Sequence, residues 1–410
     1  MKILLVNDYG GATGGAEIQM LTLRRLLRDR GHDARLFSSS AELVTQSPIL
    51  ADYTCYGTTS RAQVVSQVLN ISAYQSLRQA LQDFQPDVVH VRMFLWQLSP
   101  LILPLLKSYP CLYQTAIYKS ICPAGTNILP SGQTCQLEPG TACLKQGCLT
   151  PQTWVWMMAQ RSLWNRWKGV FDRTVALSNG MKKELAQAGI SPVNVIYNGV
   201  PERPARPPLQ TPPTVGYAGR FSAEKGIETL FQAFAQARQQ VPAAQLKMAG
   251  KGPSEAALRT LAKQLNIEDC ITWLGHIPQT ELEQQFNSLW VQVVPSLWAE
   301  PFGNVTTEAM MRGTAVIASA VGAQPEIIGK EDTKTKAGTL VPPGESANLA
   351  AALLPILQQK SLAEAMGAAG RQRAIAEFSE TRCVENFLKL YGELKRESLA
   401  KEDLVPCVTT

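Results

Sequence analysis

Val200-Pro201-Glu202-Arg203-Pro204-Ala205-Arg206-Pro207-Pro208, followed by Pro212-Pro213, interrupts the pattern of the whole chain. Proline supplies no backbone donor to a sheet and breaks helices, so residues 201–213 read as an interdomain linker. Before it, short β-branched runs at 3–7, 34–38, 87–91, 111–115, 174–177 and 193–197 alternate with helical patterns. After it the alternation restarts, with runs at 214–218, 245–249, 271–274, 291–294, 315–319 and 338–341. Such alternation marks βαβ units on a parallel sheet. The expected fold class is therefore α/β, with one doubly wound, Rossmann-like domain over 1–200 and a second over 214–378. Ligands of such sheets bind at the carboxyl ends of the strands, beside a switch in strand order. Two lobes on a short linker can turn those edges toward a central cleft. A last helical stretch, 379–400, could pack back on either domain.

Size and composition agree with two domains. A chain of 410 residues with 45% apolar and 18% charged residues has the make-up of a folded protein. The net charge of +6 is spread along the sequence, which favours anionic small molecules or anionic lipid surfaces over nucleic acid. Residues 1–8 form a short apolar run that turns at once into glycines and read as a first strand rather than a signal peptide. The apolar stretch 98–106 is broken by Pro100 and Pro104 and falls short of the roughly 20 residues a membrane span needs. A cytoplasmic location is expected, with peripheral membrane contact left open.

Three loops carry candidate chemistry. Asp8-Tyr9-Gly10-Gly11-Ala12-Thr13-Gly14-Gly15-Ala16-Glu17 joins a strand to a helix and lets backbone N–H groups approach an anion, although its spacing is neither G-x-G-x-x-G nor a P-loop. Gly219-Arg220-Phe221-Ser222-Ala223-Glu224-Lys225-Gly226 sets a guanidinium fork and an ammonium at the end of a strand, where together they could hold a diphosphate. The bland alternative is a pair of solvated surface cations. Glu300-Pro301-Phe302-Gly303-Asn304-Val305-Thr306-Thr307-Glu308 places one glutamate before a helix start and another a turn inside it. Carboxylates so placed can accept hydrogen bonds from vicinal sugar hydroxyls while the helix N-terminus faces phosphate; capping or solvated glutamates are the alternative.

Taken in order, Gly219-Arg220…Glu224-Lys225-Gly226, Ala249-Gly250-Lys251-Gly252-Pro253, Leu274-Gly275-His276, Pro295-Ser296…Glu300-Pro301-Phe302-Gly303…Glu308-Ala309-Met310…Gly313 and Gly322…Pro325-Glu326 closely resemble the retaining glycosyltransferase family four, of GT-B architecture. The resemblance implies that Arg220 and Lys225 bind the donor diphosphate, that Glu300 meets the donor sugar and that Glu308 meets the nucleotide ribose. It implies that Phe302, Gly303, Asn304 and Val305 surround sugar and phosphate, that Gly250 and His276 lie in segments cradling the nucleoside, and that Gly14 and Gly15 approach the phosphate from the other lobe. It also implies that no metal cofactor is required for catalysis, fixed cations and dipoles stabilising the leaving diphosphate instead.

The N-terminal half departs from that pattern. His90, in Asp87-Val88-Val89-His90-Val91-Arg92, matches an acceptor-side histidine, but Arg92 stands where relatives often carry a second one. Ala116 and Ile117 occupy positions that usually read His-Asp, and the other histidines of the chain are His32 and His276. The expected function is retaining transfer of a hexose from a nucleoside diphosphate sugar to a carbohydrate or lipid-linked acceptor, in polysaccharide biosynthesis. The alternative is a catalytically weak sugar-nucleotide-binding subunit of a glycan-assembly complex.

Two further features stand apart. Cys122, Cys135, Cys143 and Cys148 lie in a Gly- and Pro-rich insertion near 122–148 without helical or strand periodicity. Four thiolates can close a tetrahedral structural Zn2+ site; free buried thiols and disulfides are the alternatives. In Trp154-Val155-Trp156-Met157-Met158-Ala159-Gln160-Arg161-Ser162-Leu163-Trp164-Asn165-Arg166-Trp167-Lys168, one helical face gathers Trp156, Ala159, Leu163 and Trp167, with Arg161, Arg166 and Lys168 at interface level. That face could dock on a membrane or pack in the N-terminal core.

Overall fold

The computed structural model describes residues 1–42, 48–130, 132–329 and 336–403. The chain divides into two compact units, one from Met1–Gly199 completed by the helix Glu380–Asp403, the other Val200–Ser379.

In the first unit, β1 (Lys2–Tyr9), β2 (Asp33–Ser39), β3 (Tyr53–Cys55), β4 (Val88–Val91), β5 (Cys111–Gln114), β6 (Arg173–Ala176) and β7 (Val193–Val195) form a sheet ordered β3-β2-β1-β4-β5-β6-β7. Every pairing is parallel. Seven of the eight residues of β1 are buried, as a strand with helices over both faces requires. β3 escapes the sequence pattern: it is a three-residue edge strand with one buried side chain, Cys55.

The helix Glu380–Asp403 covers this first sheet. Val384, Phe387, Tyr391 and Leu394 recur at helical spacing and are buried in one cluster with Ile3, Leu5, Met20 and Val88.

The second unit holds β8 (Thr214–Ala218), β9 (Gln245–Ala249), β10 (Ile271–Gly275), β11 (Val291–Val294), β12 (Ala315–Ser319) and β13 (Thr339–Val341), ordered β10-β9-β8-β11-β12-β13. All its pairings are parallel as well. Strand order reverses between β8 and β11, so the loops after those two strands flank the switch point. The proline-rich segment read as a linker lies against this unit. Leu209 is buried in its core, the Leu209 amide donates to Glu364 Oε1 at 3.1 Å, and Arg206 Nε donates to the Gly313 carbonyl at 2.7 Å.

The helix Lys360–Phe378 packs across the helix Asn304–Arg312. A Cβ at Gly367 would strike the backbone carbonyl of Gly313. Gly367→Ala should therefore destabilise the second unit: overpacking of about 1–3 kcal/mol outweighs the helix-propensity gain of about 1 kcal/mol. Gly392, in the helix Glu380–Asp403, has nothing within 4 Å of its would-be Cβ, so Gly392→Ala should gain about 0.5–1 kcal/mol. Opposite shifts of the denaturation midpoint would bear this out.

Candidate functional site

The loop after β8 and the loop after β11 meet at Gly226. Its backbone is left-handed, with φ of 64°, and a Cβ there would collide with the Pro295 carbonyl oxygen. The Leu297 amide donates to the Glu224 carbonyl at 2.9 Å, tying the two loops together. The loops after β8, β9 and β10 are joined likewise: the Phe221 amide donates to Lys251 O at 3.0 Å and the Gly250 amide to Gly275 O at 2.7 Å.

This closeness brings two side chains together across 75 residues of sequence. Lys225 Nζ lies 2.6 Å from Glu300 Oε1, and Ser296 Oγ donates to the same oxygen at 2.5 Å. Lys225 also stands over the Trp298 indole, 5.2 Å from the ring centroid. The Glu300 side chain is 9% exposed and that of Lys225 23%, so the pair is partly shielded from water, and a lysine removed alone would leave a nearly buried carboxylate uncompensated.

Arg220 lies five residues before Lys225, and its carbonyl accepts a hydrogen bond from the Tyr217 hydroxyl at 3.0 Å. Its side chain is exposed, and among the described residues no hydrogen bond or ion pair engages its guanidinium. Gly303 begins the helix Asn304–Arg312, whose start has no side-chain cap. Such a terminus presents the positive end of the helix dipole. The switch point of the second sheet therefore gathers a guanidinium, an ammonium and a helix N-terminus.

Glu308 is half-buried on the same helix. Burial pushes its pKa up, while Arg203, Arg312 and a hydrogen bond from Gln279 act in the opposite direction. Beneath it, Arg312 forks to Glu283, Nε to Oε2 at 2.9 Å and Nη2 to Oε1 at 2.8 Å, and Arg203 pairs with the same carboxylate. Arg312 Nη1 also donates to Gln292 Oε1 at 3.3 Å, and Gln292 Nε2 to the Val305 carbonyl at 3.0 Å. Arg312, Glu283 and Gln292 escaped the sequence reading. The signal available was a charged residue directly after the apolar run Ala309-Met310-Met311, all of it buried.

The remaining donor-side residues are spread over neighbouring positions of the second unit. Phe302 is buried against Phe378, with ring centroids 5.9 Å apart. Asn304 and Val305 are half-buried in the first helical turn, and His276 is exposed just beyond β10.

Gly14 and Gly15 stand in the first unit, at the start of the helix Gly15–Arg28. Two acids beside them were missed. Asp8, at the end of β1, is wholly buried and accepts from the amides of Trp96, Gln97 and Leu98 at 2.9, 2.7 and 3.0 Å. Burial nevertheless pushes its pKa up to about 6. Glu17, in the first helical turn, is 5% exposed, and burial raises its pKa too.

His90 is fully enclosed: Nδ1 meets the Tyr391 hydroxyl at 2.6 Å and Nε2 meets Gln114 Oε1 at 3.1 Å. Burial drives its pKa down to about 3, so the ring is neutral and ties the helix Glu380–Asp403 to the sheet. Arg92 is buried beside it, donating to Gln114 Oε1 at 3.0 Å and to Asn198 Oδ1 at 3.3 Å. Near Ala116 and Ile117, Lys119 is the buried cation. Its Nζ donates to the Pro123 carbonyl at 2.5 Å and lies 4.2 Å from the Trp96 ring centroid, and burial lowers its pKa to about 8.

Cys122, Cys135, Cys143 and Cys148 line one cavity. Each is a half-buried free thiol.

Comparison with known proteins follows the same division. Residues 201–373 match the glycosyl transferases group 1 family, and residues 14–199 match the glycosyl transferase 4-like domain. Glycogen synthase of Mycobacterium tuberculosis is 28% identical over 244 residues, 58% of this chain and 58% of its own length. Phosphatidyl-myo-inositol mannosyltransferase of Mycolicibacterium smegmatis is 26% identical over 373 residues, 88% of this chain and 86% of its own. Among solved structures, sucrose-phosphate synthase from Thermosynechococcus elongatus has a TM-score of 0.70 at 22% identity, covering 96% of this chain and 99% of that one. Anabaena HepE, solved with UDP, has a TM-score of 0.67 at 19% identity, covering 96% and 100%. At such identities these two likenesses speak for the fold, the GT-B class of two doubly wound α/β domains. Matched on both sides of Val200, this chain belongs to the group 1 glycosyl transferases and carries a glycosyl transferase 4-like N-terminal domain.

Proposed function

We propose that this chain transfers a hexose, with retention of configuration, from a nucleoside diphosphate sugar to a carbohydrate or lipid-linked acceptor. The observation that carries the reading is the meeting of Lys225 and Glu300 at 2.6 Å, beside Arg220 and an uncapped helix start, on the switch point of the second sheet. UDP in the HepE complexes supports a nucleotide donor by analogy.

In this reading Arg220 grips the diphosphate with its fork. Lys225 turns from Glu300 toward the phosphate as the donor enters, freeing Glu300 to accept hydrogen bonds from the sugar hydroxyls. Glu308, oriented by the charges beneath it, takes the ribose hydroxyls. As the glycosidic bond to phosphate breaks, negative charge grows on the leaving diphosphate, where the fixed cations and the helix dipole stabilise it. The leaving phosphate oxygen then takes the proton of the acceptor hydroxyl on the same face. These charges make a metal unnecessary for the transfer.

A second element of the proposal is peripheral contact with a membrane holding the acceptor. Among the described residues no helix is long and apolar enough to cross one. The helix Pro151–Trp167 buries Met157, Gln160 and Trp164, leaving Trp156, Leu163 and Trp167 half-exposed and Val155, Ala159 and Arg166 exposed. A cation beside apolar side chains suits an anionic lipid surface.

Arg220→Ala should lower kcat by about 10²–10³-fold with a smaller change in KM, since it removes charge stabilisation that grows in the transition state; unaltered kinetics would refute its placement. Glu308→Ala should weaken donor binding, followed by calorimetry, by about 10–100-fold, the worth of charge-assisted hydrogen bonds. Saturable donor binding without turnover, under a broad panel of acceptors, would instead indicate a binding subunit. Replacing Trp156 and Trp167 together by serine should abolish co-sedimentation with anionic vesicles and leave donor binding intact; equal sedimentation of both proteins would end the membrane reading.

A further inference from the structure

The insertion that follows β5 has little to hold it in shape. Its helix Thr141–Lys145 buries no residue; local turns order it, with side-chain bonds from Asn127 to Glu184 and from Trp154 to the Gly140 carbonyl. An antiparallel bridge joins Ile128 to Thr134, and the Cys135 amide closes that hairpin on the Asn127 carbonyl at 2.9 Å. The Cys148 amide reaches back to the Cys143 carbonyl at 3.0 Å, with Gly147 left-handed between them. A helix end wound in this way folds the residue after the glycine back over the last turn, which brings Cys148 next to Cys143. Cys122 sits at the opposite end of the insertion, where the Gly125 amide turns back onto its carbonyl at 2.8 Å. Separate local turns thus deliver the four cysteines to a single cavity.

The thiols sense one another and face cations. Burial raises the pKa of the Cys148 thiol, and the nearby Cys143, Cys122 and Cys135 raise it further. Burial lowers the pKa of Arg161 and of Lys119, while Cys143, Glu138 and Cys122 act on the first, and Cys122 and Asp8 on the second, in the opposite direction. Four thiolates around one divalent ion carry a net charge of −2, which Arg161 and Lys119 would offset, as outer groups commonly do around ligated sulfur.

We propose that Cys122, Cys135, Cys143 and Cys148 bind one structural Zn2+ ion that fixes the insertion. Ligation exchanges the thiol protons to solvent and joins four sulfurs to the metal in tetrahedral geometry. Among the described residues no three such side chains already stand at coordinating geometry, so binding requires the four sulfurs to draw together around the ion. Because the helix Thr141–Lys145 buries no residue, ligation supplies there the cross-link that packing does not. The site is independent of the donor pocket, which lies in the other unit.

The test uses the full chain purified under reducing conditions. Elemental analysis should find about one Zn2+ per chain, released as an organomercurial titrates the thiols. Exchange for Co2+ should give the sulfur-to-cobalt charge-transfer band and the visible bands of tetrahedral thiolate ligation. Cys143→Ser and Cys148→Ser should each lose the metal, with proteolysis appearing within 122–148 and donor binding unchanged. Should those variants fail to fold, the cobalt spectrum of the unaltered chain decides alone. A reduced chain that retains no Zn2+, a cobalt spectrum without thiolate bands, or an unreduced chain whose mass reveals these cysteines paired as disulfides would each overturn the proposal.

Discussion

The contact between Lys225 and Glu300 is the constraint around which the second unit is arranged. A carboxylate with 9% of its side chain exposed needs a partner, and the partner comes from a loop 75 residues earlier. That approach requires a residue without a side chain at position 226, since any Cβ would meet the Pro295 carbonyl. It also requires β8 and β11 to be neighbours in the sheet, although β9 and β10 separate them in sequence. The order of strands, a single glycine and one ion pair are thus different views of one arrangement, which sets a cation against a carboxylate on the loop that leads into the helix Asn304–Arg312.

A second layer of charge steadies that helix. Arg312, 2% exposed, would be costly to bury alone; its fork to Glu283 and its bond to Gln292 compensate, and Gln292 in turn holds the Val305 carbonyl in the first turn of the helix. The end and the beginning of the helix Asn304–Arg312 are therefore linked through side chains of other elements. Glu308 lies between them, hydrogen-bonded to Gln279 and in the field of Arg203 and Arg312.

The sequence made the sheets legible because parallel strands covered on both faces read as continuous apolar runs. β3 was lost because a three-residue edge strand with one buried side chain has no such run. Arg220, Lys225 and Glu300 stand out in the sequence because they lie in loops that follow strands, and the structure brings the last two into contact. Asp8 was not, since the amides that hold it come from positions 88 to 90 residues away. His90 illustrates the opposite failing: a histidine on a strand invites a chemical role, yet its partners are Gln114 and, 301 residues distant, Tyr391. Pairings so remote leave no local trace.

The helix Glu380–Asp403 completes a domain whose other residues are made almost two hundred positions earlier. Until it emerges from the ribosome, the face formed by Ile3, Leu5 and Val88 lacks part of the side chains that bury it, and the His90 ring lacks its phenolic partner. The Val200–Ser379 unit suffers no such delay, being drawn from one uninterrupted stretch. During synthesis the later-made half can therefore mature first, while the N-terminal half waits with greasy surface open to chaperones. Loss of this helix's turns would injure the first unit rather than the second.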